Sequence, residues 1–518
     1  MKTLKLISII GAGALTFVVV TGGAAAGGKS CEKRSNNNHK KLLECVTVEA
    51  VRDHQAELQL IADDNSGTRA SGTQGFDDSA WYIGTTLEGA GYTVEYQPFE
   101  FSTYEQFGAE FEQIAPIPTS YTSTDFDGMT YSGAGDVTAS TTAVDLLLGL
   151  DNSSTSGCEA ADFAGFPAGD IALIQRGACS FGLKAINAEA AGAVAVVIFN
   201  QGNTELRKGI INGTLGESAN VGIPVIDVGY DLGVTLDGST LRIFIDSAVV
   251  ITETLNVLAE SPYGDPDNVV MAGGHLDSVA GGPGINDNGS GSAALLEIAL
   301  KMAKVETVNK VRFAWWGAEE SGLIGSTAYI FDPEFGITQE EYEALTLYLN
   351  FDMVGSPNYI FGVYDGDGSD FGLVGPPGSD AIEATFEQFY RAAGEPSQGT
   401  AFSGRSDYSA FIQVGIPAGG LFTGAEGIKT PEEVALYGGV AGEQYDPCYH
   451  APCDTFDNVS LKALDVNSDA IAYAILKYAM STETINGVKG KGNFKERKLA
   501  MDAEKGKMFE YSGSRLQQ

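Results

Sequence analysis

The spacing of apolar positions changes character twice along this chain. In "TVEAVRDHQAELQLIADDNSG" apolar residues recur at helical spacing, at Val51, Leu58 and Ile61, and predict an amphipathic helix. "FDDSAWYIGTTLEGAGY" predicts a second helix that ends at a glycine. "TVEYQPFEF" alternates apolar and polar residues and predicts a strand. From Pro116 to Thr252 the chain turns rich in Thr, Ser, Gly and β-branched residues. Short strands are expected there at "AVDLLLGL", "DIALIQR", "VAVVIFN" and "LRIFID", with one helix, "GLKAINAEAAGA", between two of them. After Glu253 the pattern becomes strand, loop, helix, repeated: "NVVMAGGHLD", then "GSAALLEIALKMAK", then "KVRFAWWGAEE" and "LTLYLNFDMVG".

Apolar strands alternating with helices predict an α/β protein whose mixed, mostly parallel central sheet is flanked by helices. The Thr- and Ser-rich stretch predicts an inserted α+β domain. Residues 45–115 and 253–487 then form the main domain, and 116–252 the insert. The ends differ from both. Residues 1–26 have the charged n-region (Lys2, Lys5), apolar core and small-residue "GGAAAGG" of a secretory signal peptide. Residues 27–44 are a polar pro-segment or arm, and 488–518 a basic, flexible tail. No other stretch is apolar enough to span a bilayer.

Export fits the cysteines, which fall as three sequence-local couples: Cys31 with Cys45, Cys158 with Cys179, and Cys448 with Cys453. The protein is expected outside the cytoplasm, secreted or in a periplasm or vacuole according to the host. A net charge of −37, from 68 acidic against 31 basic residues, argues against nucleic acid as a partner and favours a monomer that repels its own copies.

The chemistry gathers at the strand ends, where open α/β sheets bind ligands. His275 ends the strand "NVVMAGGHLD". Asp277, two residues on, points the same way and can accept the ring's other N–H, the usual support of a metal-bound histidine. Asp287 lies in the glycine-rich stretch that follows, Glu319 and Glu320 end the next strand, and Asp352 the one after. His450 sits in "YDPCYHAPCDT", between two cysteines that can staple its loop. Carboxylates at the ends of apolar strands are costly to bury unless paired or metal-bound. Two histidines and three carboxylates can hold two Zn2+ ions if one carboxylate bridges. One glutamate is then left over to act as general base on a water whose pKa zinc lowers to about 7.

With these pieces in family order, "GGHLDSV", "GINDNGSG", "FAWWGAEESGLIGS", "LNFDMVGS", "FSGRSDYSAF" and "CYHAPCDT" resemble the secreted co-catalytic di-zinc aminopeptidases of the leucyl aminopeptidase and aminopeptidase Y type. They cover most of residues 253 to 480, and "NSGTRASGTQGFDDSAWYI" matches the family's start. The resemblance implies a zinc-exopeptidase fold and release of the N-terminal residue, a large apolar one such as Leu, from peptides or proteins with a free N-terminus. It implies that Asp287 bridges the zincs, that His275 and Asp352 complete one, and that Glu320 and His450 complete the other. By the same resemblance Glu319 is the general base, Asp277 orients His275, Tyr449 stabilises the oxyanion and Arg405 lies near the substrate. A cis peptide is implied at Asp287–Asn288. The insert resembles a protease-associated (PA) domain, carried by "CEAADFAGFPAGDIALIQRGACSFGLKAINAEAAGAVAVVIFN". Two alternatives stay open: a carboxypeptidase-type zinc exopeptidase, and a receptor-like relative with a dead site.

Overall fold

A computed structural model describes residues 31, 33–204, 207–211, 213–216 and 219–487. The leader at 1–26 and the basic tail at 488–518 lie outside the described residues.

The main sheet is built on three apolar strands that run parallel: Asp265–His275 lies between Asn309–Trp316 and Leu345–Phe351. Ala418–Phe422 extends it in parallel beyond Leu345–Phe351, and Gly362–Tyr364 and Gln398–Thr400 complete that side. Within Asn309–Trp316 the side chains alternate between two cores, as a strand covered on both faces requires. Val311, Phe313 and Trp315 pack into one apolar cluster, and Ala314 and Trp316 into the other. Helices Val48–Asp64, Gly289–Met302 and Leu461–Met480 cover the first face, and Tyr408–Gln413 the second. His275 stands opposite Trp316 in the register, so these strands end flush and deliver their following residues to one edge.

The two expected N-terminal helices form, as Val48–Asp64 and Gln74–Ala90. The first buries Val51, Gln55, Leu58 and Ala62, while Ile61 is only partly buried at the edge of that core. The second stops at Gly91, whose φ of 99° is the left-handed conformation that favours glycine at a helix end.

The strand "TVEYQPFEF" is part of a longer one, Thr93–Ala115, which pairs along its length with Thr240–Glu260. This antiparallel ribbon joins the two sheets. One end of Thr240–Glu260 pairs with Asn309–Trp316, the other with Gly135–Val144. Residues 252 and 253, where composition changes, lie inside one continuous strand. The smaller sheet continues through Ile171–Gln175, Ala195–Phe199 and Val225–Val228, all parallel, with helix Phe181–Ala190 packed against it.

"AVDLLLGL" departs from its expected strand. Only Ala143 and Val144 belong to one, the end of Gly135–Val144. Asp145 then takes a positive φ of 40°, the neighbouring strand pairs no further than Val144, and Leu147, Leu148 and Leu150 are exposed. The real strand upstream, "GDVTASTTAV", is polar because much of it stays accessible to solvent. The cysteines pair as the sequence spacing suggests: Cys31–Cys45, Cys158–Cys179 and Cys448–Cys453. Among the described residues no helix is long and apolar enough to cross a membrane.

Candidate active site

Four chain segments converge at the carboxyl edge of the main sheet, and the Cys448–Cys453 loop brings His450 to it as a fifth. His275 is the last residue of its strand, Asp352 follows Phe351 directly, and Glu319 and Glu320 follow Trp316 after a short turn. Asp287 precedes helix Gly289–Met302, whose N-cap is Asn288; the Asp287–Asn288 peptide is cis. The Asn288 side chain donates to the Phe351 carbonyl at 2.9 Å and accepts from the Met353 amide at 3.2 Å, which ties the Asp287 turn to Asp352. Packing here is close: a Cβ on Gly274 would meet the Phe351 carbonyl oxygen at 2.4 Å, so the strand before His275 needs glycine at that place.

Asp287 stands between the two histidines. Its Oδ1 is 3.2 Å from His275 Nε2 and its Oδ2 is 3.4 Å from His450 Nε2. His275 Nε2 is also 3.3 Å from Asp352 Oδ1, and His450 Nε2 is 3.0 Å from Glu320 Oε2. Ligand atoms of His275, Asp287 and Glu320 lie within 4.8 Å of one another, and so do those of His275, Glu319 and Asp352. Proximity alone therefore places Glu319, like Asp352, beside His275. Glu320 Oε1 is buried without a hydrogen-bond partner. Clustered imidazoles and carboxylates with an unpartnered buried oxygen fit a borderline cation such as zinc.

The electrostatics point the same way. Burial pushes Glu320 up to about 7, with Asp287 adding to the rise. Burial likewise raises Glu319 well above the usual carboxylate range, against the pull of His275. Burial opposes the charged form of His450, yet its hydrogen bonds to Asp287 and Glu320 outweigh it and lift the imidazole to about 10. These shifts favour the protonated forms of Glu319, Glu320 and His450, and a metal ion would take the place of those protons.

Several predicted partners take particular positions. The His275 Nδ1 sits 3.0 Å from the main-chain carbonyl of Asp277, whereas the Asp277 carboxylate is 3.7 Å away. That carboxylate instead accepts the Glu319 amide at 3.2 Å and the Glu320 amide at 3.4 Å. The local turn, not strand alternation, decides this, because residue 277 has already left the strand. Tyr449 stacks on His450 with ring centroids 3.8 Å apart, and Arg405 Nη2 donates to its hydroxyl at 3.2 Å. Burial keeps the Tyr449 phenol protonated, hence a donor. The other Arg405 nitrogen, Nη1, donates to Glu426 at 2.7 Å.

Three supporting residues escaped the sequence reading. Asp454 accepts the amides of Asn286 at 2.8 Å and Asp287 at 2.9 Å, one per oxygen, and so holds the Asp287 turn against the Cys448–Cys453 loop. Ser406 donates to Asp352 Oδ2 at 2.7 Å, leaving Oδ1 toward His275. Arg69 is fully buried and donates to the carbonyls of Leu276, Pro283 and Gly284, clamping the glycine-rich stretch. Asp454 and Ser406 lie within "CYHAPCDT" and "GRSD", beside residues that were singled out; Arg69 lies in "NSGTRASG", far away in sequence. The cleft over this cluster is walled in part by Met353, Tyr364, Thr400, Ala401, Phe422 and Ala425.

The model of peptidase family M28 matches residues 256–475, and that of the PA domain residues 137–236. The chain is 52% identical over 450 residues to an aminopeptidase of Pseudomonas aeruginosa, covering 86% of this chain and 83% of that one. It is 40% identical over 419 residues to leucine aminopeptidase 2 of Trichophyton rubrum, covering 80% of each. Among solved structures it is similar to an aminopeptidase from Aneurinibacillus sp. strain AM-1, with a TM-score of 0.66, 28% identity and coverage of 85% and 95%. The fold is shared with BSAP, a zinc aminopeptidase from Bacillus subtilis, at a TM-score of 0.62, 24% identity and coverage of 84% and 95%.

Proposed function

We propose a two-zinc hydrolytic mechanism for this chain, which belongs to peptidase family M28 and is a zinc-dependent aminopeptidase of that family. The observation that carries the two-ion reading is Asp287, which turns one carboxylate oxygen to each histidine. Asp352 beside His275 and Glu320 beside His450 would supply the further ligand each ion needs. The ions, when bound, would polarise the scissile carbonyl and make hydroxide available near neutral pH.

The protein's own groups supply the rest. Glu319, buried and held at its amide by Asp277, accepts a proton from the attacking water and returns it to the leaving amine. Tyr449, protonated and hydrogen-bonded by Arg405, donates to the developing oxyanion. The surrounding carboxylates favour a cationic free α-amino group over a blocked one. Met353, Tyr364 and Phe422 give the cleft an apolar wall suited to a large residue such as leucine. Three disulfides and the N-terminal leader support an enzyme that works outside the cytoplasm. The aminopeptidase names of the relatives favour this reading over a carboxypeptidase or an inactive receptor.

The test compares leucine p-nitroanilide with its N-acetylated form, with and without a chelator. Cleavage of the free-amine substrate alone, abolished by chelation and restored by zinc at two ions per chain, is the expected result. Full activity at one zinc per chain, or equal cleavage of the acetylated substrate, would overturn it.

A further inference from the structure

A second acidic cluster lies behind the wall of the cleft. The strand Gly362–Tyr364 ends at Tyr364, which lines the cleft, and the next residue, Asp365, is buried. The sequence continues "DGDGSD", so that Asp365 and Asp367 are one residue apart, separated by glycine. Carboxylate oxygens of Asp365, Asp367 and Glu383 lie within 4.8 Å of one another. Glu383 comes from a different element, helix Ser379–Ala393.

Each carboxylate spends one oxygen on the loop's own amides. Asp365 Oδ2 accepts from Asp370 at 3.1 Å and Phe371 at 2.8 Å. Glu383 Oε2 accepts from Gly366 at 2.9 Å and Asp367 at 3.1 Å. Asp367 Oδ1 accepts from Ser369 at 2.8 Å. The other oxygen of Asp365, Oδ1, is buried and has no hydrogen-bond partner. A buried carboxylate oxygen without a donor, beside two further carboxylates, calls for a cation. Burial, reinforced by Asp367 and Asp365, pushes Glu383 up to about 7, as expected of acids gathered without a counter-charge.

We propose that Asp365, Asp367 and Glu383 bind one hard divalent cation, calcium, at a site separate from the catalytic cluster. Oxygen ligands without histidine or cysteine select calcium over zinc, and a flexible, glycine-spaced loop suits its loose coordination. Exposed Asp367 provides the way in. The ion would join strand Gly362–Tyr364, the loop and helix Ser379–Ala393. The Asp365 amide donates at 2.9 Å to the carbonyl of Thr400, which like Tyr364 lines the cleft. Calcium therefore stiffens the wall against which the substrate lies.

The test uses the full, zinc-loaded protein, desalted and titrated with calcium alone, and follows 45Ca equilibrium dialysis and the thermal midpoint. At about 1 mM calcium the wild type is expected to bind one more ion than the Asp367→Asn and Glu383→Gln variants. Its midpoint is expected to rise by roughly 2–4 °C while theirs does not. In calcium-free buffer Asp367→Asn, at an exposed position, is expected to melt no lower than wild type, because a repelling charge has gone. Zinc content stays the same in all three, which separates this outcome from the fate of the two-zinc reading. Equal calcium binding by wild type and both variants, or no midpoint shift in the wild type, would overturn the proposal.

Discussion

Asp287 has two oxygens and faces two histidines, and this single carboxylate organises the site. Its neighbours divide into groups that bind and groups that move protons, and substitution separates them. Glu319→Gln is expected to lower kcat by roughly 10²–10⁴-fold while zinc content, measured by elemental analysis, stays unchanged. Zinc lost together with activity would make Glu319 a ligand, which its closeness to His275 and Asp352 allows. Asp454→Asn is expected to weaken zinc binding about 10–100-fold, because it loosens the Asp287 turn without removing a ligand. Wild-type zinc affinity in that variant would reduce Asp454 to a loop anchor. At this scale the sequence shows residue types and their local neighbours. It showed that "CDT" closes the His450 loop, but not that its aspartate reaches back to residue 287, because that contact spans 167 positions.

The element that holds His450 is not a strand or a helix but a short disulfide loop, Cys448–Cys453, whose cysteines stand 5 positions apart. His450 takes a positive φ of 55° there, and its side chain is 41% exposed, against 1% for His275 at the end of a buried strand. One histidine is thus fixed by the sheet and the other by a covalent staple. Replacing both Cys448 and Cys453 by serine is expected to release one of the two zincs at a lower chelator concentration than the other. Stepwise chelation followed by residual zinc per chain checks this; simultaneous release of both ions, as in wild type, would count against it. Elements were legible where burial on both faces leaves an apolar run, as in "VRFAWW" and "LTLYLNF". They were misread where that correlation breaks. Three of the four leucines of "AVDLLLGL", Leu147, Leu148 and Leu150, are apolar and exposed, and the strand just before them is polar yet paired. Strand pairing is satisfied by backbone groups, which no side-chain pattern reports.

Over the whole molecule, charge couples the site to stability. In the metal-free protein burial raises Glu320 to about 7, Asp454 to about 7 and Asp407, the buried aspartate that follows Ser406 in "GRSD", to about 8, and carboxylate partners raise His450 to about 10. All four shifts are upward, so the folded chain holds more protons than the unfolded one at intermediate pH. The stability from the carboxylates is therefore lost as pH rises from about 4 toward 8, and that from His450 as it rises from 6.5 toward 10. Zinc replaces those protons and binds deprotonated ligands. The thermal midpoint of the metal-free protein is thus expected to fall between pH 5 and pH 8, and the gain on adding zinc to grow over the same range. Calorimetry at both pH values checks it; a zinc-dependent gain independent of pH would show that the cluster is not the linked group. The ribbon formed by Thr93–Ala115 and Thr240–Glu260 belongs to this scale too, since it ties the inserted domain to the sheet that carries the site.

Periodicity, glycine placement and local spacing determined which elements this chain forms and which residues stand at the ends of its strands, because those properties depend on neighbours a few positions apart. Tertiary structure decided the rest. It set the flush register that aligns His275 with Trp316, the reach of Asp454 to the Asp287 turn, the turn that aims Asp277 at the two glutamate amides, and the approach of Glu383 to Asp365. Each of these depends on the direction in which a chain re-enters space after a loop. That direction is set by packing against distant segments, so local sequence leaves it open.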